Sequence, residues 1–225
     1  MNKIIKLSIA VVLLLAAYIG VCACYQKSGN TNSQKVSDKP IVYMTTDISS
    51  DGLIAVYKAL GCSLPGKVAV KISTGEPGGE NYLSPDLIKE LVKNVNGTIV
   101  ECNTAYKGRR SNTEEHKKVA EEHGFTAIAN VDIMDEDGSI SLPFEKGENI
   151  KEDFVGSHFK NYDSFIILSH FKGHKMGGFG GAIKNMSIGI ASASGKMWIH
   201  TAGVTDKTGD FSKALNTPQD KFLES

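Results

Sequence analysis

The hydrophobic positions of this chain change period along its length, and each change marks an element. Ile41 to Thr46 reads as a first strand, and Asp51 to Leu60 as a helix closed by Gly61, with Leu53, Val56, Tyr57 and Leu60 on one face. Lys67 to Ser73 alternates as a second strand. Ser84-Pro85-Asp86 predicts a helix start: Ser as N-cap, Pro in the first turn and an acid against the dipole. Leu87, Ile88, Leu91, Val92 and Val95 follow at helical spacing, and Asn96-Gly97 ends the run. Thr98 to Cys102 is a third strand, Thr113 to His123 a helix capped by Thr113, and Ala127 to Val131 a fourth strand. Asp135 to Gly138 is a turn into a short stretch around Ile140 to Phe144. Residues 145–162 read as a strand and loop insertion with Val155 and Phe159 packing inward, and Ser164 to Ser169 as a buried strand.

Strands and helices alternate, which predicts an α/β fold: a mostly parallel three-layer sheet with helices on both faces and no internal repeat. Ligands belong at the carboxyl ends of such strands. The segments after Ser73, Cys102 and Ser169 are therefore expected to converge.

Composition narrows the function. With 225 residues, 41% of them hydrophobic, the chain can build one good-sized core, and 25 basic residues balance 25 acidic ones, so no global field recruits nucleic acid. Residues 1–24 stand apart: Lys3 and Lys6 precede an apolar run from Leu7 to Val21 that ends Val21-Cys22-Ala23-Cys24. This reads as a signal peptide of lipoprotein type with Cys24 as the lipidated residue, or as an uncleaved membrane-anchoring helix. Residues 25–39 then form a flexible tether, and 40–225 the α/β domain. Either reading places the protein in the cell envelope, exported and membrane-anchored. Beyond this segment only Cys62 and Cys102 remain, enough for one disulfide or for a buried apolar thiol, but not for a zinc or ferredoxin ligand set.

Three loops carry candidate chemistry. Gly75, in the glycine-rich loop that feeds the helix start at Ser84, permits an anion to approach backbone N–H groups; an ordinary strand-to-helix turn is the alternative. The loop matches neither a Walker motif nor a dinucleotide fingerprint. Arg109 and Arg110 form a candidate anion clamp or a solvated basic loop. The third loop runs from Ser169 to Asn185 and holds His170, His174 and a cluster of glycines. Gly173 opposes a helical pair of metal-binding histidines. Gly177, Gly178, Gly180 and Gly181 let the backbone approach a flat or bulky cofactor, or else make a tight junction. Lys184 can bind an anion, act as a base or bond to a carbonyl carbon, and Asn185 adds a hydrogen-bonding amide. His116, His123 and His158 read as structural.

At Lys67 to Ser73 with Gly75, Leu83 to Leu91, and Gly173-His174 through Gly180-Gly181-Ala182-Ile183-Lys184-Asn185 with Gly189, the chain resembles the domain-of-unknown-function 362 family over about residues 40–225. The resemblance implies an iron–sulfur or ferredoxin association, and a longer protein of which this chain, ending at Leu223-Glu224-Ser225 inside a helical pattern, is a truncated part. The order His174, Gly-Gly, Lys184, His200 also looks like the nickel-pincer lactate racemases, although Ala182-Ile183 intrudes before Lys184. That likeness implies His174 and His200 as metal ligands and Lys184 as the holder of a pyridinium-type cofactor.

The resulting expectation is an envelope-anchored enzyme of redox or isomerase type acting on a small anionic substrate, with His174 and Lys184 catalytic. Candidate cofactors are nickel or another transition metal, a pyridinium-type organic group, or an iron–sulfur cluster outside this segment. A non-catalytic lipoprotein that binds a small anion, and an electron-transfer component, remain alternatives. The expected partners are the small anion and the membrane, with no nucleic acid. Substrate and oligomeric state stay open.

Overall fold

The computed structural model describes residues 41–209 and 212–225. The signal, tether and lipidation readings, Cys24 among them, lie outside these residues. Regular structure begins with α1 (Ser50–Leu60), where the Ser49 hydroxyl accepts the Gly52 N–H at 3.2 Å and Gly61 closes the helix in the left-handed region at φ 61°. There follow β1 (Val68–Lys71), α2 (Pro85–Asn94), β2 (Thr98–Glu101), α3 (Thr113–Glu122), β3 (Val131–Ile133), β4 (Ser139–Pro143), β5 (Glu152–Gly156), β6 (Ser164–Ile167), β7 (Lys172–His174) and β8 (Gly178–Gly180). Helices α4 (Ala182–Ile190), α5 (Ala193–His200), α6 (Ser212–Leu215) and α7 (Gln219–Glu224) complete the described chain.

Strands β1, β2, β3 and β6 form one parallel sheet in the order β3-β2-β1-β6, which makes the domain an α/β fold. Period-two alternation assigns its faces. Val68, Val70, Ile99 and Ile166 pack with Leu53 of α1 and with Ile88, Leu91 and Val92 of α2. Ala69, Val100, Phe165 and Ile167 face Val155 of β5 and Ala182 and Ile190 of α4. The antiparallel pair β4–β5 therefore covers part of the second face, and Phe159 stacks on Phe165 with ring centroids 4.9 Å apart. A smaller cluster of Ile150, Ile188, Ala191, Ile199 and Phe222 joins α4, α5 and α7. Among the described residues no helix is long and apolar enough to cross a membrane.

Four local expectations need correction. Residues 41–46 form no strand; Ile41, Val42 and Met44 are exposed, because strand propensity without a ladder partner is not enough. The fourth strand begins only at Val131, since the preceding segment turns in a 3₁₀ helix (Phe125–Ala127) that buries the Phe125 ring completely. The cap of α3 is Asn112, whose side chain accepts the Glu115 N–H at 3.1 Å, while the Thr113 hydroxyl accepts from the Asn103 amide at 2.8 Å. Ser84 precedes Pro85 as expected but its side chain makes no capping bond. Of the two readings of the cysteines, the structure has the buried thiol and not the disulfide: Cys102 is buried and donates to the Ile190 carbonyl at 3.2 Å.

Candidate functional site

The chain runs from β1 outward through β2 to β3, then returns to the other side of β1 as β6. Loops leaving β1 and β6 thus diverge at a topological switch point, where an open parallel sheet leaves a crevice. A cavity of about 410 Å³ opens there, lined by Ser73 beyond β1, by Thr104 and Tyr106 beyond β2 and by Ser169 and His170 beyond β6. The three loops singled out by the sequence converge on it. Strands β7 and β8 pair as a small antiparallel ribbon at its rim, bringing Lys172, His174 and Gly180 to the wall.

The floor is a buried ionic network. Lys71, the last residue of β1, donates to Glu101 Oε1 at 2.8 Å, to Asn185 Oδ1 at 2.7 Å and to the Ile72 carbonyl, so all three ammonium protons are used. Burial alone would raise the Glu101 carboxyl, but the Lys71, Arg110 and Lys196 charges outweigh it and hold it at about 2. Arg110 donates to Glu76, to Tyr106 Oη at 3.2 Å and to Thr74 Oγ1 at 3.3 Å, while its buried Nε has no partner. His116 bridges Thr74 Oγ1 at 2.9 Å and Asn103 Oδ1 at 3.2 Å, and burial lowers its pKa to about 4, so it is a neutral strut beneath the network.

Gly189 makes this floor possible. A Cβ there would lie 2.9 Å from Lys71 Nζ and 2.6 Å from Asn185 Oδ1, so α4 can pass over the ion pair only where it has no side chain. Gly75 has a comparable role beside the cavity: its φ of 84° is left-handed, and a Cβ would meet the Tyr82 ring at 2.5 Å.

The upper wall holds Lys184, His174 and His200. Lys184, half-buried in the first turn of α4, is pulled down to about 8 by burial and by the Lys172, Lys196 and Lys71 charges. Its stem runs against Gly180, where a Cβ would meet Lys184 Cδ at 3.3 Å. His174 Nδ1 accepts the Gly177 N–H at 3.0 Å, so the neutral ring carries its proton on Nε2. His200 Nδ1 donates to the Lys196 carbonyl, so its basic nitrogen is Nε2. Burial lowers both histidines, His200 to about 4. The two rings flank Phe222, with centroids 6.2 and 5.3 Å from it. One imidazole is thus set to donate and the other to accept.

The family model for the domain of unknown function 362 (DUF362) matches residues 68–221. The chain belongs to the DUF362 family. No curated protein and no solved structure matches it. For this DUF362 chain the racemase likeness therefore rests on residue order alone.

The cavity gathers His174, Lys184, Asn185, His200, Gly180 and Gly181 from the residues expected at the site. Gly177 supports His174 from behind, and Gly178 turns the ribbon at φ 72° without lining the cavity. Gly75 and Ser84 do not line it either. The expected arginine clamp is split. Arg109 lies on the surface with Glu115 and Glu122, whereas Arg110 is engaged by Glu76 and Glu101. A 3₁₀ turn over Arg109–Ser111 explains this, because neighbouring side chains on it point about 120° apart.

A nickel or other metal site fits these residues poorly. Metal on His174 Nε2 would need the proton on Nδ1, which would break the bond from Gly177. The described residues also contain no group of three His, Cys, Asp or Glu side chains that could hold an ion. Sequence reasoning missed Lys71, Glu101 and Lys196. Its available signal was a single opposite charge at the end of each of two apolar parallel strands, Val68–Lys71 and Thr98–Glu101.

Proposed function

We propose that this DUF362 chain binds a small organic anion in the switch-point cavity and acts on it by proton-transfer chemistry through His174, Lys184 and His200. The carrying observation is the charge of the wall: six cationic side chains (Lys71, Arg110, Lys172, Lys175, Lys184 and Lys196) face two carboxylates, Glu76 and Glu101. The inner charges largely neutralise each other, which leaves Lys172, Lys175, Lys184 and Lys196 as the excess. Lys196 Nζ spends two donors on the Ala191 and Cys102 carbonyls and keeps a third for a ligand. Leu83, Met176 and Ile188 supply apolar wall, the mixture usual for a small-molecule site.

Calorimetric titration with glutarate, and with uncharged glutaramide as control, tests the reading. Glutarate should bind saturably and more weakly at high salt. Lys196→Ala should lower affinity roughly tenfold, as loss of a charge-assisted hydrogen bond of about 1.5 kcal/mol requires. Equal binding of glutaramide, or none of glutarate, would sink it.

The envelope location, the lipoprotein signal and the membrane anchor are also proposals, supported by the apolar run and Cys24 within residues 1–24. Metabolic labelling with a palmitate analogue, lost in Cys24→Ala, would test them. An iron–sulfur role would need ligands beyond Cys62 and Cys102, which are a half-buried and a buried thiol.

A further inference from the structure

The cavity lysines differ in how far their amines are committed. Lys71 uses all three donors and Lys196 two, while Lys172 and Lys175 lie exposed on the rim. Lys184 is half-buried, its stem passing Gly180 where a side chain would crowd it, and among the described residues no hydrogen bond or ion pair holds its amine. Its strongest electrostatic neighbours are cations, which favour the neutral amine. A desolvated, uncommitted lysine beside other cations is the arrangement that makes an amine nucleophilic. On the same wall the buried Nδ1 of His170 has no partner.

We infer that Lys184 forms a reversible imine with the carbonyl carbon of a small oxo acid, whose carboxylate is held by the cationic wall around Lys196. This inference rests on the anion-binding reading above and deepens it by naming the ligand class. The Lys184 amine adds to the carbonyl carbon, and the carbonyl π pair moves onto the oxygen, which the His174 Nε2–H holds by a hydrogen bond. His200 Nε2 takes one proton from the new ammonium and passes it to that oxygen, which gives a neutral carbinolamine. The nitrogen lone pair then expels the hydroxyl, which leaves as water with the second amine proton relayed through the same Nε2, and the carbon–nitrogen double bond forms. Nothing is oxidised or reduced. Both histidines feel the Lys184 charge, and their opposite tautomers give a His174 Nε2–H that holds the oxygen and a His200 Nε2 that relays the protons, so each ring ends as neutral as it began. Met176, Ile188 and Leu83 supply apolar wall in the same cavity.

Incubating the full chain with pyruvate, oxaloacetate or 2-oxoglutarate and sodium cyanoborohydride tests this. At least one acid should leave a single adduct, heavier by the acid less one oxygen atom plus no other change, and peptide mapping should place it on Lys184. Labelling there should outrun labelling at the exposed Lys58 and Lys89 at least roughly tenfold. Lys184→Arg, which keeps the charge and most of the stem, should form no adduct. Glutarate binding without any adduct, or adducts spread evenly over exposed lysines, would overturn the imine and leave the anion-binding reading standing. Failure of both binding and trapping would overturn both.

Discussion

The Lys71 ammonium sits 2.8 Å from Glu101 Oε1, with the lysine side chain fully buried and the glutamate nearly so. The pair ends two adjacent parallel strands, so it closes the sheet and floors the cavity at once. Each ion has lost its water, and each depends on the other for compensation. Lys71→Met should therefore destabilise the domain by about 3–5 kcal/mol by stranding the carboxylate. The double variant Lys71→Met with Glu101→Leu should recover much of that loss. Urea unfolding followed through Trp198, the one tryptophan of the chain, measures both. Equal losses in single and double variants would show that the pair is not coupled.

Acid should unfold the domain through the same carboxylate. The ordinary Glu value is 4.5 and the folded value about 2, so its stabilising contribution is complete above 4.5 and drains away as pH falls toward 2. Far-ultraviolet dichroism from pH 6 to pH 2 should show the transition, and Glu101→Gln should flatten this limb.

Gly189 is tied to that pair by geometry. Gly189→Ala would normally favour a helix, yet here the new methyl must displace Lys71 Nζ or Asn185 Oδ1. Overpacking of this kind costs about 1–3 kcal/mol. We expect lower stability together with weakened glutarate binding. A variant as stable as the parent and binding as tightly would remove the proposed constraint.

How much of this could be read from the residues follows from where each stands. The strands at Val68–Lys71, Thr98–Glu101 and Ser164–Ile167 were legible because a parallel strand buried on both faces must be apolar along its length. The segment at Ile41 to Thr46 is also apolar at its start but has no strand partner among the described residues, and pairing is a tertiary property that composition does not encode. That His174, Lys184 and His200 line the cavity was legible because they interrupt or follow a glycine-rich loop. Lys71, Glu101 and Lys196 escaped because they sit inside regular elements, where a charge reads as a surface position until the partner strand is known. Arg109 and Arg110, adjacent in the chain, could not be told apart without the turn that separates them.

Lys184 should give opposite pH dependences in two assays. Its protonated form attracts anions and its neutral form attacks carbonyls, and it changes between them near pH 8. Glutarate affinity should fall as pH rises from 7 to 9, while the rate of oxo-acid trapping should rise over the same interval until the neutral amine saturates. Lys184→Arg should remove the pH dependence of binding and all trapping. If both assays moved in the same direction, the group titrating there would not be Lys184.

His158 offers a test far from the cavity. Its Nδ1 lies 2.8 Å from Asp132 and its Nε2 2.8 Å from Asp137, while Tyr162 donates to Asp132 at 2.7 Å. Bonds to the Asp137 and Asp132 carboxylates raise its pKa above the ordinary 6.5. The charged ring therefore tethers β3 to the turn before β4. The sign follows from linkage: its contribution is complete below 6.5 and is lost as pH rises through the folded value. Because the cluster is partly solvated, the effect should stay below about 1 kcal/mol. Unfolding midpoints between pH 5.5 and pH 8.5 should fall slightly in the parent chain. His158→Gln should lower the midpoint at pH 5.5 and remove that slope, whereas an unchanged slope would assign it to another group.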